Sequence, residues 1–317
     1  MKTFSRTKPI ILALFKVLFT ILFFYVIAIK VNIADAMATP IENKYFLCIA
    51  LLIALLTVFL QAGRWLLLLK FLRIPRHKKH DIKLVWAGHF LNNLLPTSAV
   101  GDVLRCYSLR MRGVERKLWI SSLLIEKFFA MVTALSLGFA VIAIGNLLDT
   151  PPILKIIVSI AMLIGVLAPA ILMLIYKTGG WLLNYQMFEI FRTLARIISA
   201  AISNRIGIAT IGASLVINLT ICLIFYCVSM ALGLNISLMH CLFVVPVFMV
   251  LSGLPISYGG WGVRELTGIH MLQYYGVSPQ LALSTTFLFG LTIFLSSLPG
   301  AIVLRSFRGV LKGIKSI

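Results

Sequence analysis

The 317 residues are 61% hydrophobic and 12% charged, with a mean hydropathy of +1.04. Soluble domains carry about 25% charged residues, so this chain has too little polar surface to face water and a soluble globule is excluded. A formal charge of +20 would suit nucleic acid in a soluble chain, but the placement of the basic residues follows the positive-inside rule of membrane proteins.

In chain order, residues 1–38 imitate a signal peptide: a basic start (Lys2, Arg6, Lys8), an apolar stretch, then Ala36-Met37-Ala38. The apolar stretch runs from Pro9 to Ile29, longer than the roughly 7–15 residues of a signal core. It therefore predicts an uncleaved first span over 10–30. Further spans are predicted over 45–69, 118–144, 154–176, 207–232 and 280–304, each above the ~18 apolar residues needed to cross a bilayer. The segments 1–9, 70–83, 105–117, 177–206 and 305–317 hold 22 of the 29 basic residues. The loops 31–44, 145–155 and 233–239 between them contain only Lys44 and Lys155. Six spans with both termini cytoplasmic satisfy this distribution, and a bacterial-type cytoplasmic (inner) membrane is the expected location.

Two apolar segments remain, 84–104 and 240–276, both interrupted by Pro and Gly. Basic flanks require the first to enter and return on the cytoplasmic side, and the second must do the same from outside. Both are expected as re-entrant helical hairpins, a form tolerated only where protein or a water-filled cavity surrounds the irregular backbone. Segment 177–206 alternates apolar and basic residues, as an amphipathic helix on the inner leaflet would.

The stretch Leu95 to Arg105 aligns without gaps to Leu254 to Arg264, with Leu, Pro, Ser, Gly and Arg identical and an offset of 159. That offset is half the chain. The expected fold is an all-α polytopic membrane protein: one transmembrane domain made of two repeats, 1–150 and 151–317. Each repeat would hold three transmembrane helices plus one re-entrant hairpin. Three is odd, so the second repeat is inverted, as in secondary transporters. Pro96, Gly101, Pro255, Gly259, Gly260 and Gly262 are the expected structural breaks.

Charged residues at membrane depth cost at least ~2.5–3.5 kcal/mol each. Here they are Arg64, Asp102, Arg105, Glu126, Lys127, Arg264 and Glu265. Arg105 and Arg264 each follow a glycine-bearing break, where a starting helix would aim free N–H groups at an anion, and Arg adds a fork suited to phosphate. The equally open reading is internal pairing: Asp102 with Arg105, and Glu126 or Glu265 with Arg64 or Arg264. Asn92, Asn93 and His89 could add polar lining to the first hairpin, and His270 to the second. The five cysteines form no C-x-x-C pair and read as buried hydrophobes. No cofactor or metal is expected. The motifs of conventional hydrolases, ATPases and zinc enzymes are missing from the sequence, so the expectation is a non-enzyme.

Asn92-Asn93-Leu94-Leu95-Pro96 followed by Gly101-Asp102 and Arg105 resembles the first signature of the flippase-like transmembrane domain of lysylphosphatidylglycerol synthase. Leu124-Ile125-Glu126-Lys127 resembles its following Glu-Arg element, with Lys127 where Arg is usual. Gly260-Trp261-Gly262-Val263-Arg264-Glu265 is similar to its second signature, and Arg64-Trp65 to an early Arg element. The resemblance implies movement of aminoacylated phospholipid between leaflets; the soluble aminoacyl-transfer domain is expected to be absent, so lysyl transfer is not implied. The expected function is a lipid translocase for a phospholipid or polyprenyl-phosphate-linked lipid, its phosphate held between opposed hairpins by Arg105 and Arg264. The expected partners are phosphate-bearing membrane lipids and no nucleic acid, with a second copy of the chain compatible with this. The alternatives are a membrane enzyme or subunit acting on a lipid-linked substrate, and a secondary transporter of small anions.

Overall fold

The computed structural model describes residues 17–29, 31–95, 100–144, 198–253 and 260–307, together with the single positions 159, 160, 163, 167, 196 and 257. The expected span 154–176 falls mostly outside these residues, as do positions 177–195 of the amphipathic segment and Pro96, Pro255 and Gly259.

Within them the chain is helical and reads as a multi-pass membrane protein. The helices in order are α1 (Val17–Ile29), α2 (Ile33–Met37), α3 (Lys44–Phe71), α4 (Lys78–Leu94), α5 (Val100–Met111) and α6 (Arg116–Ile144). They continue with α7 (Arg205–Ala231), α8 (Leu238–Ser252), α9 (Val263–Gln273), α10 (Pro279–Ser297) and α11 (Pro299–Leu304), the last running into a 3-10 turn. Four are long and apolar enough to cross a bilayer: α3, α6, α7 and the run Pro279–Phe307. They match the spans expected at 45–69, 118–144, 207–232 and 280–304. The 28 residues of α3 reach about 42 Å at 1.5 Å per residue, beyond a hydrocarbon core of about 30 Å. Large exposed side chains recur along it at Ile49, Leu52, Leu56 and Phe59. That spacing marks one helix face, and lipid is its natural solvent.

Local chemistry sets the boundaries. Asn43 and Asn204 cap α3 and α7 by accepting from the amides of Tyr45 and Ile206, each satisfying one of the orphan donors of a helix start. Ser237 and His240 form a reciprocal cap on α8, and Ser278 caps α10 ahead of Pro279 at its first position.

The central pair is α3 with α7, and it is antiparallel. The amides of Glu42 and Asn43 donate to Ala231 O, Thr57 bonds Thr220, and Arg64 bonds Ser214, so position numbers rise on one helix as they fall on the other. Adding the offset of 159 to the bounds of α3, α4, α5 and α6 lands within a few residues of α7, α8, α9 and the α10–α11 run.

Both Pro/Gly-interrupted segments are helix–break–helix pairs, α4–α5 and α8–α9, each with its two helices in contact. The first starts nearer the basic loop than expected, at Lys78. Gly101 is not a break residue: it is the second residue of α5. A Cβ on Gly101 would lie 2.0 Å from the carbonyl oxygen of Gly88, so α5 begins beside the middle of α4 and not beyond its end. Gly260 and Gly262 do serve the second break, with φ of 82° and 84°, where a Cβ is strained. Among the described residues three apolar clusters form: Trp65, Leu68, Leu69, Leu109 and Phe129 beside the first pair, Phe225, Phe243, Phe248 and Phe289 beside the second, and a smaller one of Leu84, Ala87, Leu91, Leu104 and Phe307.

Candidate functional site

The α4–α5 pair and α3 bring the charges of the first half together. Glu126 on α6, 4% exposed, accepts from Arg64 Nη2 at 2.8 Å through one oxygen and from Arg105 Nη1 at 2.7 Å through the other. Arg105 also pairs with Asp102 one turn earlier on α5. The second oxygen of Asp102 receives Lys127 Nζ at 2.9 Å. The result is one chain of contacts, Arg64–Glu126–Arg105–Asp102–Lys127, with three cations and two carboxylates. The Arg105 guanidinium lies over the Trp65 ring, 4.8 Å from its centroid, a cation–π contact that also holds it in place. Arg64 donates to Ser214 Oγ at 3.3 Å, while its buried Nε–H has no partner among the described residues.

These groups border a cavity of about 440 Å³. Among the described residues its polar lining is Gln61, Arg64, His89, Asn92, Arg105, Glu126, Lys127 and Asn218, and its apolar lining includes Ala130, Met131, Ile217, Ile221 and Met249. Six helices, α3 to α8, contribute. Lys127 and Met131 are one turn apart on α6, and both are exposed as well as lining the cavity. The cavity therefore opens through the flank of a spanning helix, near its middle.

Several expected site residues stand elsewhere. Arg264 and Glu265 are outside the cavity lining and form their own buried unit at the second break. Glu265, fully buried, accepts from Arg264 Nε at 2.9 Å and from the Gly262 amide at 2.6 Å. Arg264 lies over Trp261 at 4.5 Å and reaches Phe289 at 6.0 Å. It fits because position 290 is glycine: a Cβ there would sit 1.9 Å from Arg264 Nη2. Asn93 donates back to His89 O within its own helix, and His270 bonds Leu266 O likewise. The expected cradle of free backbone amides is altered too. Asn92 Oδ1 takes the Gly101 N–H at 2.7 Å, and Glu265 takes that of Gly262. Buried helix-start donors are costly when unmade, and each break supplies its own acceptor.

Asn218 went unremarked in the sequence, although an amide within an apolar span is a signal. It donates to Ala130 O and Thr133 Oγ1, fixing α7 to α6 beside the cavity. Among the described residues no cluster of His, Cys, Asp and Glu has the geometry of a metal site.

The family model described as the lysylphosphatidylglycerol synthase TM region matches residues 12–300, which takes in the whole of the cavity and the second break. No curated protein matches the sequence.

Proposed function

The chain belongs to the lysylphosphatidylglycerol synthase transmembrane-region family, and from that premise we propose that it is a lipid translocase whose cavity receives the phosphate of a membrane lipid. The observation that carries this reading is the cavity mouth at Lys127 and Met131 on the flank of α6. A head group can enter there while its acyl or prenyl chains stay in the bilayer; a carrier of small soluble anions needs no such lateral opening. Arg64, Arg105 and Lys127 supply the cations for the phosphate. Both acids of the network serve as counter-ions to bases, which favours binding over acid–base chemistry.

The antiparallel run of α3 against α7, with the 159-residue correspondence of the elements that follow, supports two inverted repeats. The helix–break–helix pairs then serve as re-entrant hairpins, and rocking of one repeat against the other alternates access. The basic loops support a cytoplasmic location for both termini.

The test is flip of fluorescent phospholipid in reconstituted liposomes, read by dithionite bleaching of the outer leaflet. Wild-type protein accelerates bleaching of the inner-leaflet pool, and Arg105→Gln slows it at least tenfold. Equal rates for protein-bearing and empty liposomes would sink the reading.

A further inference from the structure

We propose that the cavity selects lipids whose head group carries net negative charge, and disfavours aminoacylated lipids that carry net positive charge. This rests on the translocase reading for the presence of a lipid at the site. The argument is one of charge and vacancy. Around the cavity stand three cations, Arg64, Arg105 and Lys127, against two carboxylates, Glu126 and Asp102. A phosphodiester monoanion neutralises the remaining charge; a lysyl-bearing head group adds to it. His89 on the same wall adds positive charge when protonated and contributes none when neutral.

The carboxylate oxygens are engaged, while a cation stands exposed at the mouth. Glu126, the one carboxylate among the described lining residues, is bonded by a different arginine on each oxygen. Asp102 is held on one oxygen by Arg105 and on the other by Lys127. Among the described residues, a substrate ammonium would have to share these carboxylates with an arginine or with Lys127. Arg64 also lines the cavity, 7% exposed, with its Nε–H buried. Lys127 Nζ makes one ion pair among the described residues, and its side chain is 60% exposed at the mouth. Lys127 is placed to take a phosphate oxygen. A volume of about 440 Å³ is at the small end for ligand pockets, which run from about 300 to 1,000 Å³, and fits a head group without its chains.

The experiment is competitive binding to the purified full chain, read by native mass spectrometry. Phosphatidylglycerol, phosphatidylcholine and lysyl-phosphatidylglycerol are supplied together at equal concentration. The expected order is phosphatidylglycerol first, at least tenfold over lysyl-phosphatidylglycerol, with phosphatidylcholine between. Lys127→Gln, at an exposed position, should cut that preference about fivefold, and Lys127→Arg should keep it. Binding of the lysyl lipid equal to or tighter than phosphatidylglycerol overturns the proposal, and so does an undiminished preference in Lys127→Gln. Glycerol 3-phosphate is the arm for a soluble source of the same chemistry: competition matching that of phosphatidylglycerol overturns the lipid assignment. The liposome assay reports separately. Selective binding without flip defeats the translocase reading alone, and flip with the reversed lipid order defeats this proposal alone.

Discussion

Replacing Glu126 by Gln tests whether the buried charge network holds the first half of the molecule together. The side chain keeps its shape, but one oxygen that accepted a guanidinium becomes an NH2 facing it. Contacts of 2.8 Å to Arg64 and 2.7 Å to Arg105 reduce to one. A hydrogen bond to a charged group contributes about 1.5–3 kcal/mol, and breaking a buried ion pair from one side costs about 3–5 kcal/mol. Asp102 still holds Arg105 and Ser214 still holds Arg64, so the lower figure, about 3 kcal/mol, applies. At about 2 °C per kcal/mol for a large domain, Tm in detergent should fall by about 6 °C. The control is Glu115→Gln, at an exposed position, which should stay within about 1 °C, as surface changes do. Arg64→Met combined with Glu126→Gln should destabilise by less than the two single changes added, by about 1 kcal/mol, because they share one bond. A fall below about 2 °C for Glu126→Gln, or strict additivity in the double variant, refutes the reasoning.

Gly101→Ala places a methyl 2.0 Å from Gly88 O and 2.5 Å from Gly88 C, and backbone cannot swing aside. It should cost about 3 kcal/mol, the upper end for overpacking, whereas Gly63→Ala, with open space around it, should be neutral or stabilising by up to ~1 kcal/mol; thermal melts of both settle this. Gly290→Ala drives into Arg264 and should lower Tm, and adding Arg264→Gln should recover part of the loss. At the basic start of α4, His80 Nδ1 accepts from Arg112 Nη2 at 2.6 Å, so the folded state prefers neutral imidazole. Burial and the Arg112 charge lower its pKa below 6.5, against the opposing pull of Asp81. The associated stability is therefore present above pH 6.5 and is lost as pH falls through that value towards the folded pKa. His80→Gln, which keeps an acceptor, should narrow the difference in Tm between pH 7.5 and 5.5; an unchanged difference contradicts the assignment.

Four of the six expected spans, at 45–69, 118–144, 207–232 and 280–304, were readable because hydropathy and basic loops are local signals, summed over twenty residues at a time. The pairing of Asp102 with Arg105 was readable for a similar reason: three positions apart, they share a helix face. What escaped depends on how separate segments meet. Gly101 resembles a break residue beside Pro96, and only the approach of Gly88 from the preceding helix gives it a packing role. Asn218 bonds Ala130, 88 positions away, and no spacing rule connects them. That Glu126 serves two arginines from two different helices is likewise a property of the packed α3, α5 and α6.

Arg105 and Arg264 occupy matched places in the two aligned stretches, yet their surroundings assign them different work. The residue after Arg105 is Cys106; the arginine's own helix supplies Asp102 one turn earlier, and its second carboxylate comes from another element. It finds Glu126 across the α5–α6 contact, and that carboxylate is already shared with Arg64 on α3. The pairing therefore spans three helices, and it borders a cavity. The residue after Arg264 is Glu265, which satisfies it within the same helix turn and caps that helix through Gly262. Trp261, Phe289 and the space left by Gly290 complete the enclosure. A group neutralised by its own neighbour and walled by aromatic rings is poorly placed to exchange partners with a substrate. One shared among helices can exchange them, because an incoming phosphate offers the cations a replacement for a carboxylate oxygen. Under the proposed translocase reading, the first break is where the ligand exchanges partners, and the second is the fixed frame against which it moves.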